Sequence, residues 1–300
     1  MEYRKRFETY DQLADRLLSR GLQADRYQLV RRLREIGYYR LSGYWHIFKQ
    51  ADGTFVDGTT LERVMDIYSF DRLLRLKTLD AIERAEVYLR SNIAHELASI
   101  NGPFGYLNAN SMPNFSPSQY TDFLSRCRKA FERSREPFAL HYREKYADSQ
   151  DLPPYWILVG TLEFGAMFAL YRGASNDTRK CISRTFFIEP KVMDSWLVAL
   201  NTVRNICCHH GRLWNRTLGT RPALPRQKND ARWHEPFAIR ADKPIAVLTI
   251  LSHMLTTVTP DSTWAEEMTR LLETRPESDL SKMGFAEGWR KSPFWATEQL

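Results

Sequence analysis

From Leu61 to Ala98 the sequence holds a helical pattern far longer than any other it contains, and a chain built round it has little room to be a sheet protein. Apolar side chains return every three or four residues, first at Leu61, Val64, Ile67 or Tyr68 and Leu74, then at Ala81, Val87 or Tyr88 and Ile93. That period places them along one face of a helix. Thr60 stands at the N-cap position, where a hydroxyl accepts a bond from a first-turn amide. A single helix of this length is unusual in a globular protein, so a kink or break is expected inside it.

Shorter helices flank it. Tyr10 to Ser19 has helical spacing and stops at Gly21, and Asp25 caps a second helix through Arg34 with Tyr27, Val30 (or Leu29) and Leu33 inward. Gly37 ends that helix, and the aromatic segment after it is expected to break again at Gly43. Asp52-Gly53 and Asp57-Gly58 flank a small hairpin at Thr54 to Val56. Asn101-Gly102-Pro103 opens a loop, a basic helix covers 119 to 134, and Pro153-Pro154 marks a boundary. Tyr155 to Tyr171 reads as one apolar helix containing Glu163, residues 177 to 186 as another, and 191 to 215 as a polar-striped helix with its terminal turn. Residues 217 to 242 read as loop, helices follow near 244 to 257 and 262 to 273, and 276 to 300 is irregular. Strand signals are sparse, so the expected fold is all-α or predominantly α. Three regions are expected: a basic, aromatic helical one at 1–60, a helical core at 61–220, and a helical extension at 221–300 that either packs on the core or forms a separate unit.

Lys and Arg number 43 against 36 Asp and Glu, a balance of +7 that leans towards an anionic partner. Arginine supplies 32 of the 43, and its planar donor fork suits phosphates and base edges. The four cysteines at 127, 181, 207 and 208 form no C-x-x-C pair, and two are adjacent. Free thiols in a reducing cytoplasm are therefore expected. Neither end has the order of a signal peptide, and apolar runs such as Trp156 to Gly160 are too short for a bilayer, so no membrane partner is expected. There is no H-E-x-x-H, no Walker loop and no G-x-G-x-x-G, and the seven histidines are scattered, so neither a metal nor a cofactor is expected.

The segment from Lys191 to Arg216 carries chemistry. Trp196, Leu200, Val203 and Cys207 make one buried face, at steps of four, three and four. Asn201, Asn205 and His209 make a neighbouring polar stripe, flanked by Arg204 and extended by Arg212. RNA brings its own nucleophile, the 2′-hydroxyl. His209 can accept that proton, Arg204 can stabilise charge growing on the phosphoryl oxygens, and Asn205 can orient His209 or hold a phosphate oxygen. In-line attack leaves a 2′,3′-cyclic phosphate and a 5′-hydroxyl without a metal, and spares DNA. One helix supplies one such set. A second, from a two-fold related chain, can protonate the leaving 5′-oxygen, which points to a homodimer with these helices facing each other. Spacing alone is weak, because Arg90 to His95 has the same gap. Asn205 and the stripe single out the later segment, where cleavage, a structural polar helix and passive RNA contact all remain open readings.

Four segments, RLREIGYYRLSGYW (31–45), YSFDRLLRLKTLDAIERAEVYLRSNIAH (68–95), LPPYWILVGTLEFGAMFALY (152–171) and SWLVALNTVRNICCHHGRLWNR (195–216), occur in an order that resembles the Abi-like (abortive-infection, AbiD/AbiF-type) bacterial family. Its C-terminal part belongs to the HEPN superfamily of helical ribonucleases, whose motif is Arg, a polar residue, a variable stretch and His. Arg204, Asn205 and His209 match it without departure. The resemblance implies a HEPN-like core at 61–220, a phage-defence or toxin-like endoribonuclease that dimerises through this helix, and an RNA or protein antitoxin that restrains it. Some members only bind RNA, so a non-catalytic RNA-binding regulator is the alternative.

Other residues carry two readings each. His210 is auxiliary to the motif. Arg212, Asn215 and Arg216 either hold flanking phosphates or simply suit the end of a helix. Glu83, Glu86 and Arg90 form either a network that orients Arg204 or an exposed ion-pair ladder. Arg26, Arg31, Arg32, Arg34 and Arg40, interleaved with Tyr27, Tyr38, Tyr39, Tyr44 and Trp45, form either a surface for single-stranded RNA or a solvated face over a core.

Overall fold

A computed structural model describes residues 6–146 and 151–296. Among them every regular element is a helix, with no strand beyond two isolated bridges, Gln23 to Thr60 and Lys49 to Phe55. The fold is thus predominantly α, as the sequence predicts. It divides into two compact units, one ending at Arg75 and the other starting at Leu76.

In the first unit, α1 (Tyr10–Ser19) starts in a capping box between Thr9 and Gln12, and Asp25 caps α2 (Arg26–Ile36). The two pack together, burying Ala14, Leu17, Leu29, Val30 and Leu33. Tyr27 is not inward but 79% exposed, because the step of two to Leu29 puts it on the opposite side of the helix. Gly37 (φ 91) ends α2, and α3 (Tyr38–Trp45) runs straight through Gly43. Burial of Leu41, Tyr44 and Trp45 outweighs the glycine. The expected hairpin reduces to the single Lys49–Phe55 bridge.

Next comes α4 (Leu61–Asn101), with Thr60 accepting the Arg63 amide at 3.1 Å. The expected break is absent. Its 41 residues include neither glycine nor proline, and buried residues recur along it from Leu61 to Leu97. Its portion up to Arg75 belongs to the first unit, where buried Asp71 pairs with Arg75 and accepts the Tyr44 hydroxyl at 2.6 Å.

The second unit holds the rest of α4 and α5 (Pro117–Arg133), α6 (Pro137–Tyr146), α7 (Tyr155–Thr161), α8 (Phe164–Gly173), α9 (Asn176–Arg184), α10 (Pro190–Cys208), α11 (Pro244–Val258), α12 (Trp264–Glu273) and α13 (Glu277–Ser281). The single helix expected over 155–171 is two, because Leu162 and Glu163 are extended (ψ 141° and 155°) and Glu163 turns to solvent. The centre of the unit is α10, which packs on α8, α9 and α11. Every residue of α11 from Pro244 to Leu255 is buried, so 221–300 contributes a core helix. The irregular tail contains α13 and a short turn at 289–291, and its last four residues lie outside those described.

Candidate functional site at the end of α10

Pro190 opens α10 at a position where its missing N–H costs nothing. The inner face is the expected one: Trp196, Leu200, Val203 and Cys207 are each at most 2% exposed. The Trp196 indole donates to the Ala223 carbonyl and the Ala223 amide to the Ser195 hydroxyl, both at 2.8 Å, which ties the helix to the chain beyond it.

The helix ends at Cys208, earlier than expected, and His209 is its C-cap. The His209 amide still donates to Asn205 at 3.0 Å, so the polar stripe keeps its register to the cap. Then the chain turns: the His210 amide donates to Cys207 at 3.0 Å and the Gly211 amide to Ile206 at 2.7 Å. These two bonds make a Schellman turn, whose second residue must be left-handed. That residue is His210, with φ 57. A side chain there costs about 1 kcal/mol relative to glycine. Gly211 follows at a close approach, since a Cβ on it would lie 3.1 Å from the Ile206 carbonyl.

Around this turn the expected residues assemble. An Arg204 Nη1–H donates to Asn205 Oδ1 at 3.4 Å. Arg204 is half-buried, while Asn205, His209 and His210 are exposed. Asn201 sits one turn back against Gly165 of α8, where a Cβ would be 3.5 Å from its Nδ2. Buried Leu213 and Trp214 hold the exit, Asn215 is left-handed (φ 51), and Arg216 donates to the Arg212 carbonyl at 3.1 Å. No carboxylate occurs between Asn201 and Arg216. One solvent-facing turn therefore presents imidazoles, amides and guanidinium groups, a set suited to an anion and to proton transfer.

The other expected residues do not join it. Arg90 pairs with Glu86 and donates to the carbonyls of Val159 and, at 2.7 Å, Leu162, fastening the end of α7 rather than reaching Arg204, whose bond is to Asn205. Glu83 is exposed. Arg90 is thereby committed away from His95, which is exposed. In the first unit Arg31 and Arg32 both bind Glu35, Arg26 binds Asp11 and Asp15, and Arg34 and Arg40 lie over the rings of Tyr10 and Tyr68. Tyr44 and Trp45 are core, so of the interleaved aromatics only Tyr27 and Tyr39 are widely exposed.

Sequence reasoning missed His253. It is buried among Trp196, Trp233 and Phe294, its Nε2 2.8 Å from the Phe186 carbonyl, and burial holds its pKa below the usual histidine value. Its apolar neighbours on α11 hide it from any motif search.

Among the described residues no three His, Cys, Asp or Glu side chains gather as metal ligands, all four cysteines are free, and no helix is long and apolar enough to cross a membrane. No curated protein and no solved structure gives a significant match. A family model described as Abi-like protein matches residues 31–215, a span running from within α2 past the turn that carries His209. That match covers more than half of the sequence, and the chain belongs to the Abi-like protein family.

Proposed function

We propose that the protein is a metal-independent endoribonuclease of abortive-infection defence. The observation that carries this reading is the turn at the end of α10, which brings exposed His209 one helical turn from Arg204 and Asn205 in a segment that itself has no carboxylate. His209 takes the proton of a 2′-hydroxyl, the oxygen attacks the adjacent phosphorus, and Arg204 stabilises the charge on the phosphoryl oxygens. Asn205 holds the Arg204 guanidinium and a phosphate oxygen. The P–O5′ bond breaks, leaving a 2′,3′-cyclic phosphate and a 5′-hydroxyl whose proton comes from the second set in a homodimer. Arg212, Arg216, Asn215 and Asn201 line the flanking backbone. Membership of the Abi-like family supports the defence role, and an RNA or protein partner that masks this turn is the restraint such an enzyme needs. Among the described residues one chain carries one such turn, so a protein that stays monomeric would be the alternative, a non-catalytic RNA-binding regulator.

The test is incubation of the full-length protein with transfer RNA and single-stranded RNA in EDTA, beside Arg204→Ala and His209→Ala chains of confirmed fold. Cleavage to cyclic-phosphate ends, reduced about 10²–10⁴-fold by His209→Ala, is expected. Bound but uncut RNA with a dimeric parent protein would move the assignment to the regulator.

A further inference from the structure

The first unit carries a group of cations and exposed rings that the α10 turn does not use. Arg16 lies on α1 and Arg20 caps its end, a helical step of four apart. The Arg20 carbonyl accepts the Phe55 amide at 2.8 Å. Phe55 is bridged to Lys49, whose ammonium lies 5.4 Å from the Phe55 ring centroid. Three cations thus share one edge. Arg16 pairs with Glu8 at 2.9 Å, but among the described residues neither Arg20 nor Lys49 has a carboxylate partner. Burial, and then Arg20 and Arg16, hold the Lys49 pKa below the usual lysine value, so the like charges are close enough to repel. An anion there would relieve that repulsion.

Beside the cations lies a groove of about 670 Å³ whose lining includes Arg6, Phe7, Arg16, Tyr38, Tyr39 and one carboxylate, the Glu8 that pairs with Arg16. Phe7 is 89% exposed and Tyr39 71%. The Arg16 guanidinium sits 5.1 Å above the Tyr38 ring, with its Nε buried and unpartnered, so this one side chain belongs to both cluster and groove. Cations that track a backbone beside rings that accept flat groups are the arrangement that binds an unpaired nucleic-acid strand. An acidic peptide would neutralise the cations but leave both rings without planar partners. We propose that this edge of the first unit is a binding site for single-stranded RNA, in which Arg16, Arg20 and Lys49 take backbone phosphates while Tyr39 and Phe7 stack bases. The inference rests on RNA being the substrate of the α10 turn.

The test uses the full-length His209→Ala chain and fluorescence anisotropy with a short oligouridine. Combining Arg20→Ala with Lys49→Met is expected to weaken binding about tenfold and flatten its salt dependence, since fewer phosphates are neutralised. Tyr39→Ala is expected to cost about tenfold, and Tyr39→Phe, which keeps the ring, almost nothing. Tyr39 is exposed, whereas Arg20 and Lys49 are half-buried, so binding is compared at a temperature well below the melting of every variant, each with its helical signal matched to the parent. The site is overturned if the cation and ring variants bind like the parent, or if a glutamate-rich peptide of equal charge displaces RNA with the same dependence on the variants. Cleavage by chains retaining His209 is read in parallel. Persistent cleavage with unaltered binding removes this site alone, whereas a protein that neither binds nor cuts RNA removes the ribonuclease reading and this site together.

Discussion

Arg90→Ala should release the end of α7 from α4. The guanidinium pairs with Glu86 in a contact whose side chains are only 19% and 14% exposed, and it also donates to the carbonyls of Val159 and Leu162. Alanine leaves one little-solvated carboxylate and two carbonyls without their donor. A bond from a charged donor contributes about 1.5–3 kcal/mol. Val159 borders an open groove lined also by Trp156 and His95, so water recovers part of its carbonyl's share. Together the two carbonyls contribute about 2 kcal/mol and the Glu86 carboxylate about 1, giving a loss of about 3 kcal/mol. For a unit of more than 200 residues, that lowers the melting temperature by roughly 6–12 °C. Urea unfolding of the parent, Arg90→Ala, Glu86→Gln and the double variant measures the coupling, expected near 1 kcal/mol. A single variant within about 0.5 kcal/mol of the parent, or strictly additive effects, would refute the reasoning.

Three other outcomes follow from the packing. Asp71→Ala leaves buried Arg75 without its carboxylate and the Tyr44 hydroxyl without its acceptor, and should cost about 3–5 kcal/mol in thermal unfolding. Gly211→Ala puts a methyl 3.1 Å from the Ile206 carbonyl and 3.3 Å from its Cγ2. It should cost about 1 kcal/mol, with a larger fractional loss of RNA cleavage than of stability. His253 is kept neutral by burial, so the folded state binds fewer protons than the unfolded state below the ordinary histidine pKa of 6.5. Its contribution is complete above that pH and lost as the pH falls. His253→Gln should therefore flatten the fall in urea midpoint between about pH 7 and pH 5.

The helical character of the chain was legible because its apolar residues keep one period, and the caps at Asp25 and Thr60 stand where they were expected. The errors have physical causes. Across 155–171 the apolar pattern is continuous, so it cannot reveal two extended residues at Leu162 and Glu163, the first of them fastened by Arg90 from a helix distant in sequence. Gly43 has the composition of a break, yet the burial of Tyr44 and Trp45 overrides it. The short helix α6 went unread. In α10 the buried face was visible by spacing, but the end at Cys208 was not. It depends on a left-handed histidine, which no propensity favours. Likewise the arginines of α2 resembled an RNA surface until Asp11, Asp15 and Glu35 were found to hold three of them.

The neighbouring thiols at the end of α10 give this helix its own opening gauge. Cys207 is 2% exposed, whereas Cys208 faces solvent. A thiol reagent therefore reaches one in the native protein and the other only when the helix lifts, and the ratio of their labelling rates converts to a local opening free energy. Cys181 donates to Glu96, which raises its thiol pKa and slows the competing reaction there. Buried Cys127 on α5, its thiol pushed up to about 12, supplies the comparison from another part of the same unit. Labelling of Cys207 well before Cys127 would mean that the surface carrying His209 rides on an element that loosens alone. Labelling of both together would mean that this surface persists until the whole unit opens.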